Sequence, residues 1–147
     1  MKKITDVMSK NVVTVSSDTN IKEIISIMKE KNIGKLPVIE NNNIIGVVER
    51  KSLLIKKEIA PLPPVIAIND LILQLPNTKS FKEKLNKLIG YTAKEIMEKD
   101  FLKIDINDTL ENLVTKLVED NYTYALIFNN NSLEGIVTET DLIKNIF

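Results

Sequence analysis

Two residues near the end of the chain have types and spacing that suit a phosphorylated ligand. Thr138 follows the short strand pattern Gly135-Ile136-Val137, and Asp141 stands three residues on, where the next helix begins. That spacing directs a hydroxyl and a carboxylate into one pocket, beside backbone amides that a helix start leaves unpaired. Such amides, with the helix dipole, attract phosphate. An ionised Asp accepts hydrogen bonds from both hydroxyls of a ribose, and charge-assisted bonds are the stronger kind. A nucleoside phosphate satisfies both features together. Gly135 has no side chain, so its strand can run close to a neighbour or a ligand. The same spacing also reads as a helix cap, a place where Thr and Asp are favoured. The two roles can coexist.

Other chemistry is poorly supplied. The 147 residues include no Cys and no His, which excludes disulfides, Cys/His zinc sites and His-assisted nucleophiles. Glu139 and Asp141 form a close acidic pair, but neither has a plausible base partner, so no enzyme activity and no catalytic cofactor or metal are expected. Lys+Arg and Asp+Glu both number 20, leaving no basic excess to hold a nucleic acid. Hydrophobic residues at 44% and charged ones at 27% suit a globular core. Lys2 and Lys3 are not followed by an apolar leader. The apolar stretch Ile59 to Ile68 carries Pro61, Pro63 and Pro64, so it is too short and too broken to cross a bilayer. The expectation is a cytoplasmic protein without a membrane partner.

The elements that must position Thr138 and Asp141 occur twice. Shifted by 89 residues, Ile4–Leu54 falls on Ala93–Ile143 without a gap. Only 9 of the 51 pairs are identical, so the repeat rests on its apolar pattern instead. Val7-Met8 meets Ile96-Met97. Ile21, Ile24, Ile25 and Met28 meet Leu110, Leu113, Val114 and Leu117, and Gly46-Val47-Val48 meets Gly135-Ile136-Val137. Each copy reads as β-α-β-β-α. Val12–Val15 and Leu102–Ile104 are first strands, and each is followed by an amphipathic helix. Asn20 with Glu23, and Asp108 with Glu111, read as helix starts, while Asn32-Ile33-Gly34 reads as a stop in which the glycine takes left-handed angles. Leu36–Ile39 and Ile44–Val48 flank an asparagine-rich hairpin turn, repeated at Asn129-Asn130-Asn131-Ser132. A short helix closes each copy, through Leu53-Leu54 and Leu142-Ile143. Neither half has the apolar surface to fold comfortably alone, so the halves are expected to pack sheet against sheet.

The organisation that follows is a first repeat over 1–57, an apolar insert over 58–90 and a second repeat over 91–147. Within the insert, Ser80-Phe81-Lys82-Glu83 is a capping box, and Phe81, Leu85, Leu88 and Ile89 mark one face of a helix near 80–89. That helix reads as docked against the repeats, or as a dimer contact or lid.

Paired β-α-β-β-α units, each opening near a Val/Ile-Met pair, closely resemble tandem cystathionine-β-synthase (CBS) domains, the Bateman module, of the stand-alone two-repeat type. The first copy carries a Leu36-Pro37-Val38 strand, and the most diagnostic stretch is Gly135-Ile136-Val137-Thr138-Glu139-Thr140-Asp141. The resemblance implies an α+β fold with pseudo-twofold symmetry and two clefts, usually dimerised. It implies a non-catalytic regulatory role, sensing AMP, ADP, ATP or S-adenosylmethionine and controlling an unidentified protein. It carries ligand binding onto Thr138 and Asp141, onto the backbone at Leu102, Lys103 and Ile104 that reads the adenine edge, and onto Lys35, which reaches phosphate. Tyr124, the repeat partner of Lys35, and Tyr122 are candidates to flank the base or to fill the core. The first copy departs from the pattern: Glu49 replaces the Thr and Ser52 the Asp, so one competent site, in the second copy, is expected, with a vestigial or differently selective first site as the alternative. A protein-interaction scaffold with no competent ligand site is the competing reading.

Overall fold

Apolar residues three and four apart, followed by β-branched runs, give each repeat a helix set between strands. The computed structural model describes residues 2–55 and 91–146. The insert, with its expected helix, lies outside the described residues. The first repeat runs α1 (Ile4–Val7), β1 (Val15–Ser16), α2 (Ile21–Lys31), β2 (Lys35–Glu40), β3 (Asn43–Glu49) and α3 (Ser52–Ile55). The second runs α4 (Ala93–Ile96), β4 (Lys103–Asp105), α5 (Leu110–Glu119), β5 (Tyr124–Asn129), β6 (Ser132–Thr138) and α6 (Glu139–Ile146).

Both sheets have three strands, in the orders β1-β2-β3 and β4-β5-β6. The first two strands of each are parallel, which requires the intervening helix as a crossover. The third returns antiparallel through the hairpin. The class is α+β, as the sequence patterns implied. The first strand is shorter than Val12–Val15, because pairing begins at Val15 opposite Val38.

Local signals hold the helices in place, with two corrections. Asn20 caps α2, its Oδ1 accepting from the Glu23 amide at 2.9 Å. The cap of α5 is Thr109 and not Asp108: Thr109 Oγ1 accepts from the Asn112 amide at 3.0 Å. Asp108 stands one residue earlier, where its carboxylate takes the Thr109 amide at 2.7 Å and Asn112 Nδ2 at 2.7 Å. The left-handed residue that ends α2 is Asn32 (φ 51°, ψ 49°) and not Gly34. Its angles let the Ile33 amide turn back to the Met28 carbonyl at 3.1 Å, and the short polar side chain of Asn tolerates them. In the first hairpin Asn41 and Asn42 both have positive φ, as a type I′ turn demands.

The repeats and the compact units do not coincide. One unit comprises Met1–Val13 with Asp100–Phe147, and the other Thr14–Lys99. Each leading helix therefore belongs to the unit built on the other repeat's sheet. In the first unit, Ile4 and Val7 of α1 join a core of Leu102, Ile104, Leu113, Leu117, Ala125, Ile127 and Val137. Ser9 and Ile136 exchange backbone hydrogen bonds of 2.8 and 3.0 Å, which extends the β6 edge. In the second unit, Ala93 and Ile96 of α4 are buried, as is the α2 stripe Ile21, Ile24, Ile25 and Met28. Glu98 and Val47 exchange bonds of 2.9 and 2.8 Å. The two glycines make room for these crossings. A Cβ on Gly135 would lie 2.6 Å from Met8 Sδ, and one on Gly46 would lie 2.6 Å from Met97 Sδ.

Candidate functional site

At one end of the β4-β5-β6 sheet the starts of β4 and β5 meet the end of β6. Tyr124 pairs with Thr138, and Lys103 with Leu126 two residues further along β5. The helix α6 begins at the same end, immediately after Thr138.

Thr138 and Asp141 are brought together there as a reciprocal cap. Asp141 Oδ2 accepts from the Thr138 amide at 2.9 Å and from the Thr138 hydroxyl at 3.1 Å. The Asp141 amide in turn donates to Thr138 Oγ1 at 3.3 Å. The capping reading is thus realised, and the carboxylate is held in a fixed orientation at the helix start. Its other oxygen, Oδ1, accepts from the Ser9 hydroxyl at 3.0 Å. Further along α6, Asn145 Nδ2 donates to the Asp141 carbonyl at 2.7 Å. Thr138 and Asp141 are both half-buried, so the cap stands partly open to solvent.

Sequence reasoning missed Ser9. It lies 132 positions before Asp141 and reaches it only because α1 crosses to this unit. Gly135 is explained by the same crossing: the close neighbour it accommodates is Met8 with the Ser9 carbonyl.

Ile104 is buried in the core, so only its backbone belongs to the strand surface. Lys103 is exposed, and its ammonium lies 4.4 Å from the Phe128 ring centroid in a cation–π contact on the sheet face. Tyr124 is buried. Tyr122 packs on the core, and its hydroxyl donates to Asp100 Oδ1 at 2.6 Å. Because that hydrogen bond favours the protonated phenol, Tyr122 is held above the ordinary tyrosine range. Lys35 opens β2 in the other unit, half-buried and paired in register with Glu49.

The corresponding end of the first repeat is a weaker copy. Ser52 Oγ accepts from the Glu49 amide at 3.4 Å, where Asp141 takes the Thr138 amide at 2.9 Å. Glu49 occupies the threonine's place with a buried side chain, and Lys51 approaches its carboxylate no closer than 3.9 Å. A phosphate brought there would meet a carboxylate instead of a hydroxyl.

The family model of the CBS domain matches residues 4–58 and again 93–147. The chain belongs to the CBS-domain family. Over 145 residues the CBS pair is 26% identical to the uncharacterised protein MJ1404 of Methanocaldococcus jannaschii, covering 98% of this chain and 32% of that protein. It is 27% identical over 145 residues to the inosine-5′-monophosphate dehydrogenase of the same organism, covering 98% of this chain and 23% of the enzyme. The chain therefore spans a third or less of the length of these relatives. Among solved structures the CBS pair is similar to CBSX2 in complex with AMP, with a TM-score of 0.72 and 22% identity over 99% of this chain and 97% of that one. That likeness concerns the fold. No described helix is long and apolar enough to cross a membrane.

Proposed function

We propose that this CBS pair is a non-catalytic regulatory module that senses an adenine nucleotide or S-adenosylmethionine through the second repeat. The observation that carries the reading is the Asp141 carboxylate, oriented by Thr138 at the start of α6 and still partly open to solvent. A ribose diol suits that carboxylate, and a phosphate suits the backbone amides of the helix start. The backbone of Leu102 to Ile104 leads into β4 at the same end of the sheet. Support for the ligand class comes from CBSX2, which was solved in complex with AMP. In the same reading, Glu49 and Ser52 leave the first repeat without a matching site, and the module acts in the cytoplasm as a homodimer on a partner protein.

One observation favours a scaffold with no ligand: within the described residues, both Asp141 oxygens already have internal donors. A thermal-shift panel of AMP, ADP, ATP and S-adenosylmethionine separates the two readings. A ligand at a hundred times its Kd stabilises by about 2.7 kcal/mol, a rise of several degrees for a chain of this size. A shift with an adenosine ligand, lost in Asp141→Ala, is the expected result. No shift with any of the four would reject the sensor reading in favour of the scaffold.

A further inference from the structure

The donors on Asp141 leave too few acceptor sites for a ribose diol. A carboxylate offers about four lone-pair sites. Two on Oδ2 are taken by the Thr138 amide and hydroxyl, and one on Oδ1 by the Ser9 hydroxyl. A diol needs two, so an existing bond must yield.

The three donors are not equally free to leave. The Thr138 amide is fixed by the backbone of the β6–α6 turn. The Thr138 hydroxyl is engaged in both directions, donating to Oδ2 and accepting from the Asp141 amide at 3.3 Å. Ser9 is exposed, and among the described residues its hydroxyl makes one hydrogen bond, to Asp141. Rotation about its side-chain torsion moves that donor to water without disturbing the Ser9–Ile136 backbone pair.

We infer that Ser9 is a built-in competitor for the ribose hydroxyls, a specificity-determining residue supplied to the second-repeat site by the leading segment of the first. The inference rests on the reading of Asp141 as the ribose acceptor. A ligand with both ribose hydroxyls displaces Ser9. One with a single hydroxyl uses the lone pair that no described residue fills and leaves Ser9 in place. Asp141 occupancy is thereby coupled to the contact that ties residues 2–9 to α6.

Calorimetric titration of wild type, Ser9→Ala and Ser9→Thr with AMP and with 2′-deoxy-AMP tests this. Ser9→Ala is expected to bind AMP about three- to tenfold more tightly, the worth of one net hydrogen bond. Its affinity for 2′-deoxy-AMP should match wild type, and Ser9→Thr, which keeps the hydroxyl, should match wild type with both nucleotides. Unchanged or weaker AMP binding by Ser9→Ala would overturn the inference while leaving the sensor reading intact. An equal gain with both nucleotides would overturn it too. If wild type binds neither nucleotide, the ribose reading itself fails, and the inference with it.

Discussion

Substituting alanine at Gly135 tests the crossing of the leading segment onto the second repeat's sheet. The added Cβ would stand 2.6 Å from Met8 Sδ, 3.0 Å from Met8 Cγ and 3.0 Å from the Ser9 carbonyl oxygen. Comfortable contact needs roughly 3.5–4 Å. The half-buried Met8 side chain can swing aside, but the Ser9 oxygen cannot, because it accepts the Ile136 amide at 3.0 Å. The bridge must therefore shift by several tenths of an ångström. Overpacking of this kind costs about 1–3 kcal/mol, and replacing a strand glycine returns about 0.5–1 kcal/mol. The net expectation is a loss of about 0–2.5 kcal/mol, or up to roughly 10 °C in Tm for a chain of this length. Gly46→Ala should cost more, since the fixed atom there, the Glu98 carbonyl oxygen, is closer at 2.8 Å. Thermal unfolding measures both losses, and hydrogen exchange at the Ser9 and Ile136 amides should quicken in Gly135→Ala. A Gly135→Ala protein as stable as wild type, with unchanged exchange at Ser9, would refute the crossing.

Three other outcomes follow from particular contacts. Asn20→Ala and Thr109→Ala each remove a helix cap and should lower stability by about 0.5–2 kcal/mol in denaturant titrations. Asn32→Gly should be neutral or stabilising and Asn32→Ala destabilising by about 1 kcal/mol, because only the left-handed backbone separates them. Tyr122 should titrate above the ordinary 10.0 in ultraviolet titration and return toward it in Asp100→Asn. With its folded pKa raised, its contribution to stability is complete below the unfolded value and is lost as pH rises through the folded one.

Much of this was legible in local sequence, because local physics decides it. The α2 stripe, the Asn20 cap, the hairpin asparagines and the Thr138–Asp141 spacing each involve residues within a few positions of one another. Asp108 and Thr109 are adjacent and both residue types cap well, so residue type alone does not separate Asp108 from the true cap, Thr109. The 89-residue offset, which sets Thr109 on Asn20, carried the information that separates them. Residue type alone favours Gly34 for the left-handed position, whereas the turn of the Ile33 amide to Met28 requires it at Asn32. The crossing of the leading segments was not legible at all. Met8 and Met97 are alike, as are Gly46 and Gly135, so either methionine suits either glycine and the repeat pattern cannot tell the pairings apart. With the crossing hidden, the link from Ser9 to Asp141 was hidden too.

The central claim is that one adenosine ligand is held by Asp141 in the second repeat. Calorimetric titration of AMP into wild type, Asp141→Asn and Ser52→Ala tests it most directly. The expected result is one AMP per chain, binding at least tenfold weaker in Asp141→Asn, and unchanged affinity in Ser52→Ala. The asparagine keeps the size of the side chain and an acceptor for the Thr138 amide, so that loss reports the carboxylate's charge and its second acceptor oxygen. Binding that survives Asp141→Asn at wild-type strength, or that is lost in Ser52→Ala instead, would contradict the claim.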